Sequence, residues 1–172
     1  ISEAFPSAEA ATLSWVITAY NIGVASLLLP AGWMADRYGR KKVFLWGLVA
    51  FIFGSLLSGL ATSPALLIGA RVVQSIGGAA QYPAGLALLL SAFPLERRMR
   101  AIGVWGAVSG LAAALAPSLG ALLIEGFGWR SVFLINVPVA LLALIAGRSW
   151  LIESRSSEVS DRVDLVSVPM AS

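Results

Sequence analysis

The sequence has 172 residues, of which 58% are hydrophobic and only 12% are charged, and its mean hydropathy is +0.85. An ordinary soluble domain carries about 25% charged residues, so this composition excludes that class. The chain contains no histidine and no cysteine. Zinc sites of the usual kinds, Ser-His or Cys-His catalysis and disulfides are therefore excluded, and we expect neither a metal site nor an enzyme with catalytic residues.

Five long uncharged stretches lie between the charged residues, and each is comparable with the roughly 20 residues that cross a bilayer. They predict helices at about 13–35, 43–61, 66–92, 101–124 and 132–150. The sequence therefore predicts an all-α membrane protein with a transmembrane bundle over residues 1–150. Residues 151–172 are expected to form a cytoplasmic linker, and the apolar run at 165–170 is interpreted as the start of a further helix.

The basic residues indicate the orientation of these spans. All of them except Arg71 and Arg130 fall on one side of the membrane, which the positive-inside rule places in the cytoplasm. The N-terminus is then outside and the C-terminus inside. Although the net charge is +3, the basic clusters flank apolar spans and face anionic lipid, so we expect no nucleic-acid partner. The chain starts at Ile1 and ends in an apolar run, and we interpret it as an internal part of a longer protein with one helix missing upstream.

Polar side chains inside the third predicted helix share one face. Arg71, Gln74 and Gln81 are spaced at i, i+3 and i+10, and the first helix carries Asn21 on a similar polar stripe. Arg71 either faces a wet transport pathway or extends its guanidinium to the membrane interface. The two glutamines on the same face favour a pathway that includes Arg71, Gln74, Gln81 and Asn21.

One spacing occurs twice in the chain, on opposite sides of the predicted membrane. An acid, a glycine three residues later and a Val-Phe pair four residues after the glycine recur in both copies: Asp36, Gly39, Val43, Phe44 and Glu125, Gly128, Val132, Phe133. Three predicted helices separate the copies. An inverted repeat of this kind is typical of secondary transporters.

Three groups of residues carry a family resemblance. The first predicted loop contributes Gly32, Asp36, Arg37, Gly39, Arg40 and Lys41. The fourth helix contributes Gly103, Ala112, Ala116, Pro117 and Gly120, and the start of the fifth contributes Trp129, Arg130, Phe133, Asn136 and Pro138. The first group resembles the signature loop between helices 2 and 3 of the major facilitator superfamily. The second is similar to its helix 5 antiporter motif, with alanine in place of glycine at three positions, and the third to the helix 6 motif of its fourteen-helix drug:proton antiporter branch.

This resemblance implies the N-terminal helical bundle of that superfamily, with the five spans as helices 2 to 6 and helix 1 missing. In the superfamily, the loop with Asp36 and Arg40 latches two halves together, the Arg71 position is tied to proton movement, and the Pro117 helix resists leak. The chain is then expected to be part of a proton-coupled exporter of amphipathic or cationic small molecules. It would sit in the plasma (inner) membrane as a multi-pass protein and use the proton gradient without a cofactor.

The expected partners are a small-molecule substrate, protons, the lipid bilayer and the missing remainder of the transporter. Two other functions stay open at this point. A metabolite facilitator or importer of the same superfamily shares the Asp36 loop, and a truncated membrane module that does not transport fits the abrupt chain ends.

Overall fold

The computed structural model describes Phe5 and residues 9–154, and every regular element in that part of the chain is a helix. In chain order these are α1 (Ala10–Tyr38), α2 (Arg40–Leu60), α3 (Pro64–Ala92), α4 (Leu95–Phe127), α5 (Ser131–Leu134) and α6 (Asn136–Trp150). The predicted all-α fold is confirmed. Each of the first four predicted spans corresponds to one long helix, and the fifth corresponds to α5 and α6 together. The predicted helix start at 165–170 lies outside the described residues.

The helices run further than the predicted spans. Asp36 and Arg37 belong to the last turn of α1, and Arg40 is the first residue of α2, so Gly39 alone separates these two helices. The predicted loop at 96–100 likewise forms the beginning of α4. Charged residues mark the edge of the hydrocarbon region, whereas the helical hydrogen bonds continue into the headgroup region.

By length and hydropathy, four stretches of the described chain can cross a membrane: α1, α2, α4 and Ser131–Trp150. The remaining long helix, α3, has 29 residues like α1, but it carries Arg71, Gln74 and Gln81. These polar residues lower its hydropathy. It packs against both α1 and α2, which cover much of its surface. The polar residues of α3 therefore lie in a helix that packs against two neighbours.

Glycines let α2 and α3 approach until their backbones touch. A Cβ atom added to Gly54 would lie 2.5 Å from the backbone N and Cα atoms of Gln74. A Cβ atom added to Gly77 would lie 2.5 Å from the carbonyl oxygen of Gly47. Close approach at small residues is a common way to hold helices together in lipid, where hydrophobic burial drives little association.

The short helix α5 and the longer α6 are joined at Ile135, which keeps helical backbone angles. α6 packs on α2, and α5 packs on α2 and α4. An apolar cluster closes the bundle at the α5 end, and a smaller one closes it at the Gly39 end. The first contains Val16, Ala61, Leu67, Trp129 and Phe133, and the second contains Ala35, Val43 and Ala84.

The repeated sequence spacing has a structural counterpart. Gly39 has φ 113° and Gly128 has φ 78°, and among the described residues these are the two with positive φ. L side chains rarely adopt this backbone region, so glycine is favoured at both positions. In each copy the glycine N–H donates to the carbonyl four residues earlier, that of Ala35 or Ile124. Both copies therefore end a helix in the same way.

Candidate functional site

Arg71 lies half-buried between α3 and α1, where its guanidinium contacts two hydrogen-bond acceptors and two aromatic rings. Its Nε donates to the carbonyl oxygen of Val16 at 3.0 Å, and its Nη1 donates to Oε1 of Gln74 at 2.6 Å. The guanidinium carbon also lies 4.1 Å from the centre of the Tyr20 ring. A cation over an aromatic face is attracted by the ring quadrupole, more strongly when water is excluded. The guanidinium is therefore held by the bundle.

Gln74 extends this network to α2. Its Nε2 donates to Oγ of Ser55 at 2.7 Å, and both side chains are completely buried. One hydrogen-bonded path thus runs from α1 through Arg71 and Gln74 to α2. A buried polar side chain is costly unless its partners are in place, so the path fixes the relative positions of three helices.

Beside this network is a cavity of about 370 Å³ with a largely aromatic wall. Its lining residues come from α1, α2, α3 and α4: Tyr20, Phe44, Phe51, Gly78, Gln81, Tyr82, Gly85, Trp105 and Ser109. Tyr82 and Trp105 meet edge to face at 5.3 Å between ring centres. Gln81 contributes an amide that donates to the carbonyls of Gly77 and Gly47 at 3.1 and 3.4 Å. Tyr20 borders the cavity and its ring also contacts the Arg71 guanidinium, so the cavity and the polar network meet at this residue.

The structure does not bring the fourth predicted pathway residue, Asn21, into this group. Asn21 is exposed on α1, whereas Tyr20 faces α3. Successive residues of an α-helix point about 100° apart, so the rotation that places Tyr20 over Arg71 turns Asn21 away. The hydroxyls of Ser14 and Thr18, on the same exposed stripe, donate to carbonyls of their own helix.

The residues of the predicted signature loop surround the Gly39 turn. Asp36 forms an ion pair with Arg40 at 2.9 Å, across the break between α1 and α2. Gly32 makes an ordinary contact, since a Cβ there would lie 3.6 Å from Pro83. Arg37 lies against the rings of Trp33 and Tyr38 on the exposed side of α1.

The segment after α6 folds back onto the same turn. Nζ of Lys41 donates to the carbonyls of Arg148 and Leu151 at 3.0 and 2.6 Å. The Lys41 backbone N–H donates to Oε1 of Glu153 at 3.0 Å, so the carboxylate sits at the N-terminus of α2. A Cβ on Gly39 would lie 2.7 Å from that oxygen. Negative charge is favoured at a helix N-terminus, where backbone N–H groups lack partners.

The residues of the predicted helix 6 motif, which begin just before α5, pack together at the opposite end of the bundle. Trp129 is buried against Phe133, and Arg130 stacks on Trp129 while its Nη2 donates to the carbonyl of Ala61 at 3.1 Å. The Phe133 ring centre lies 5.6 Å from the Arg71 guanidinium carbon, so this end touches the polar network. Asn136 donates back to Val132 at 3.4 Å, and Pro138 is exposed.

The predicted packing face of α4 has no neighbour in the described part of the chain. Of its motif residues, Ala112, Ala116 and Pro117 are exposed, and a Cβ added to Gly103 or Gly120 would meet nothing within 4 Å. In the described part of the chain, the expected close approach of another backbone is therefore not found. Spacing of small residues shows where a helix can be approached, but it does not show which segment approaches.

A model of the Major Facilitator Superfamily matches residues 6–164. The chain belongs to the major facilitator superfamily. It is 40% identical over 154 residues to the multidrug resistance protein Stp of Mycobacterium tuberculosis, covering 89% of this chain and 28% of that protein. It is 41% identical over 133 residues to the methylenomycin A resistance protein of Streptomyces coelicolor, covering 77% of this chain and 28% of that one.

A third relative is the tetracenomycin C resistance and export protein of Streptomyces glaucescens, which is 36% identical over 165 residues. That match covers 96% of this chain and 31% of the relative. The chain thus spans less than a third of the length of these curated relatives. With its apolar helices, this member of the major facilitator superfamily is a multi-pass membrane protein.

Sequence reasoning missed three groups at the polar site of this superfamily member: the Tyr20 ring, the Ser55 hydroxyl and the Val16 carbonyl. Ser55 had a usable signal, because a serine in an otherwise apolar span needs a hydrogen-bond partner. Tyr20 had a weaker signal, as an amphipathic ring in the middle of a predicted span. A backbone carbonyl has no signature in the sequence, so the Val16 contact could come only from the packing of α1 on α3.

Proposed function

We propose that the chain is part of a proton-coupled secondary transporter that exports amphipathic or cationic small molecules by alternating access. The observation that carries this proposal is the aromatic cavity beside Arg71, which has no charged residue among its lining. Aromatic rings accommodate apolar bodies and attract cations over their faces. The names of the three relatives, which describe drug resistance or export, support the same class of function.

In this proposal Arg71 is required for proton-coupled transport, but it does not itself bind and release the proton. Arginine stays protonated in proteins, so proton uptake and release need another group. The acids in the helices of this chain, Asp36, Glu96 and Glu125, lie at helix ends, and Glu153 follows α6. We therefore assign the proton-accepting carboxylate to a part of the complete transporter outside the described helices. The proton gradient supplies the energy, and transport requires no cofactor and no covalent step.

The same proposal places the protein in the plasma (inner) membrane with the Gly39 turn in the cytoplasm. Because the sequence has no cysteine, single cysteines can report the orientation. Thr62 and Met99 are both exposed: Thr62 lies just before α3, and Met99 lies near the start of α4, beyond the opposite end of α3. Thr62→Cys should react with an impermeant thiol reagent added outside intact cells, and Met99→Cys should react after permeabilisation. The reverse pattern would contradict the orientation.

The coupling role of Arg71 is testable in a complete transporter that contains this sequence. Arg71→Ala should lose efflux of a lipophilic cation driven by a pH gradient in proteoliposomes, while exchange without a gradient continues. Arg71→Lys should retain part of the driven efflux, because it keeps the charge and loses the planar fork. Arg97→Ala, which removes an exposed charge from the first turns of α4, is the matched control. Full driven efflux by Arg71→Ala would contradict the proposal.

The cavity predicts selectivity for cations over neutral molecules of similar shape. Tyr82→Leu keeps an apolar side chain at the wall and removes one aromatic face. It should weaken the affinity for a lipophilic cation by about 2-fold to 30-fold, equivalent to about 0.5–2 kcal/mol, and change that of a neutral analogue less. Tyr38→Leu, away from this cavity, is the control. Equal losses for both molecules would indicate that Tyr82 contributes shape alone.

A further inference from the structure

Two apolar grooves lie on either side of Trp46 on the outer surface of α2. The larger has a volume of about 530 Å³ and is bounded by α1, α2 and α3, with Leu27, Met34 and Ile76 in its wall. The smaller, of about 260 Å³, lies between α2 and α6. Lys42 and Trp46 border both grooves, so the two meet at this pair of side chains.

This side of α2 is apolar and exposed in the described part of the chain. Trp46 and Leu60 are 72% and 70% exposed, and Val49 and Phe53 are exposed between them. The polar side chains of the same helix beyond its first turn, those of the two serines Ser55 and Ser58, are both fully buried. A helix with apolar residues outside and polar ones inside presents its outer face to lipid tails.

Two basic side chains, those of Lys42 and Arg148, border the smaller groove and are the ones available to a ligand. Arg40 is paired with Asp36, and the ammonium of Lys41 is bound by two carbonyls. Within the described part of the chain, Lys42 forms no ion pair, and Arg148 contributes its carbonyl and not its guanidinium to the contacts. Both side chains border the smaller groove, so one headgroup can contact both.

We propose that this surface is a binding site for one anionic phospholipid. One acyl chain lies in each groove, on either side of the Trp46 ring, and the phosphate contacts Lys42 and Arg148. The indole and the nearby Tyr38 ring are at the level of the glycerol backbone, where aromatic side chains are enriched. The groove volumes, the shared border at Trp46 and the two positive charges at one mouth carry this assignment.

The headgroup, and not the tails, sets the selectivity of such a site. An acyl chain that leaves the bilayer for an apolar groove exchanges one hydrocarbon environment for another and gains little. A basic residue close to anionic lipid contributes about 1 kcal/mol, which is about fivefold in binding. Two such residues predict a preference for an anionic over a zwitterionic lipid of about 25-fold. A helix from another chain could fill the grooves, but its apolar side chains would leave both charges without a partner.

Native mass spectrometry of the 172-residue chain tests the proposal. The chain is released from micelles that contain equal amounts of dioleoyl phosphatidylglycerol and dioleoyl phosphatidylcholine. We expect one retained phosphatidylglycerol per monomer, with about a fivefold loss of preference in Lys42→Ala and no preference in the Lys42→Ala, Arg148→Ala double variant. Arg37→Ala removes the same charge beside the same turn without bordering either groove and should behave like the wild type.

Three outcomes would overturn the proposal: an unchanged preference in the double variant, an equal loss in Arg37→Ala, or a dimer mass without bound lipid. Tryptophan fluorescence of the wild-type chain and of one further variant gives a second measurement. Phosphatidylglycerol with brominated acyl chains should quench tryptophan emission more than brominated phosphatidylcholine at the same mole fraction. Trp46→Leu should abolish that difference, because it removes the ring between the grooves. An unchanged difference in Trp46→Leu would place the lipid elsewhere.

Discussion

The contact between α2 and α3 makes a prediction in which the same substitution has opposite effects at two positions of one helix. Gly77 and Gly69 both lie in α3. A Cβ atom at Gly77 would lie 2.5 Å from the Gly47 carbonyl oxygen and 2.7 Å from Cα of Phe51, whereas a Cβ at Gly69 would meet nothing within 4 Å. Gly77→Ala should therefore destabilise the bundle, and Gly69→Ala should not.

The magnitude follows from the distances. Ordinary contacts of a Cβ atom begin at 3.4 Å, so α2 and α3 must move apart by nearly 1 Å at Gly77. The obstructing atoms belong to backbone, which cannot rotate away like a side chain. Overpacking of this kind costs about 1–3 kcal/mol, while alanine regains up to about 1 kcal/mol of helix propensity at either position. Taking the middle of that overpacking range, we expect a net loss of about 1–2 kcal/mol for Gly77→Ala and a gain of up to about 1 kcal/mol for Gly69→Ala.

The two free energies of unfolding can be compared by titrating each variant from mild detergent into SDS and following helix content by circular dichroism. The wild-type chain, measured under the same conditions, is the reference. If Gly77→Ala is as stable as the wild type, the backbones do not approach as closely as described. If Gly69→Ala loses as much stability as Gly77→Ala, the loss reflects alanine in the helix and not the contact.

Three further predictions concern polar contacts and one turn. Ser55→Ala leaves the buried Nε2 of Gln74 without its acceptor and should lower the unfolding free energy by about 1–3 kcal/mol in the same titration. The control Ser91→Ala, at an exposed serine, should change it by less than about 0.5 kcal/mol. Gly39→Ala places a side chain at positive φ and against Glu153, so it should lower the unfolding free energy by at least about 1–2 kcal/mol. If the loss disappears entirely when Glu153→Ala is added, the backbone conformation does not contribute to it. Glu153→Gln removes the charge at the N-terminus of α2 and should weaken stability at low salt by less than about 1 kcal/mol, with a smaller difference in 1 M salt, where the Debye length is about 3 Å.

The sequence predicted the number and order of the long helices because lipid imposes a simple rule on them. A span needs about 20 residues without charges, and the gaps between charged residues can be counted directly. The same rule misplaced the helix ends, since a helix does not stop where hydrocarbon stops. Gly39 and Gly128 carried a signal for two of the true ends, and both were visible in the repeated spacing.

The candidate site was predicted in part. Arg71 and Gln74 were grouped correctly on one face because helical periodicity alone determines which side chains share it. The partners of that face belong to α1 and α2, and they depend on how each helix is rotated about its own axis. Tyr20 and Asn21 are neighbours in sequence and fall on different sides of α1 for this reason, so Tyr20 and not Asn21 contacts Arg71, and a pathway role of Asn21 stays a prediction.

The single-residue turn at Gly39 has a mechanical consequence. A loop of several residues lets two helices slide independently, but one residue leaves almost no slack between α1 and α2. The Asp36 to Arg40 ion pair spans this turn. α1, with 29 residues, is about 44 Å long, so a tilt of about 10° at the turn displaces its far end by about 8 Å. Because Gly39 alone joins the two helices, α1 and α2 can rotate relative to each other at this residue, but neither can slide without moving the other.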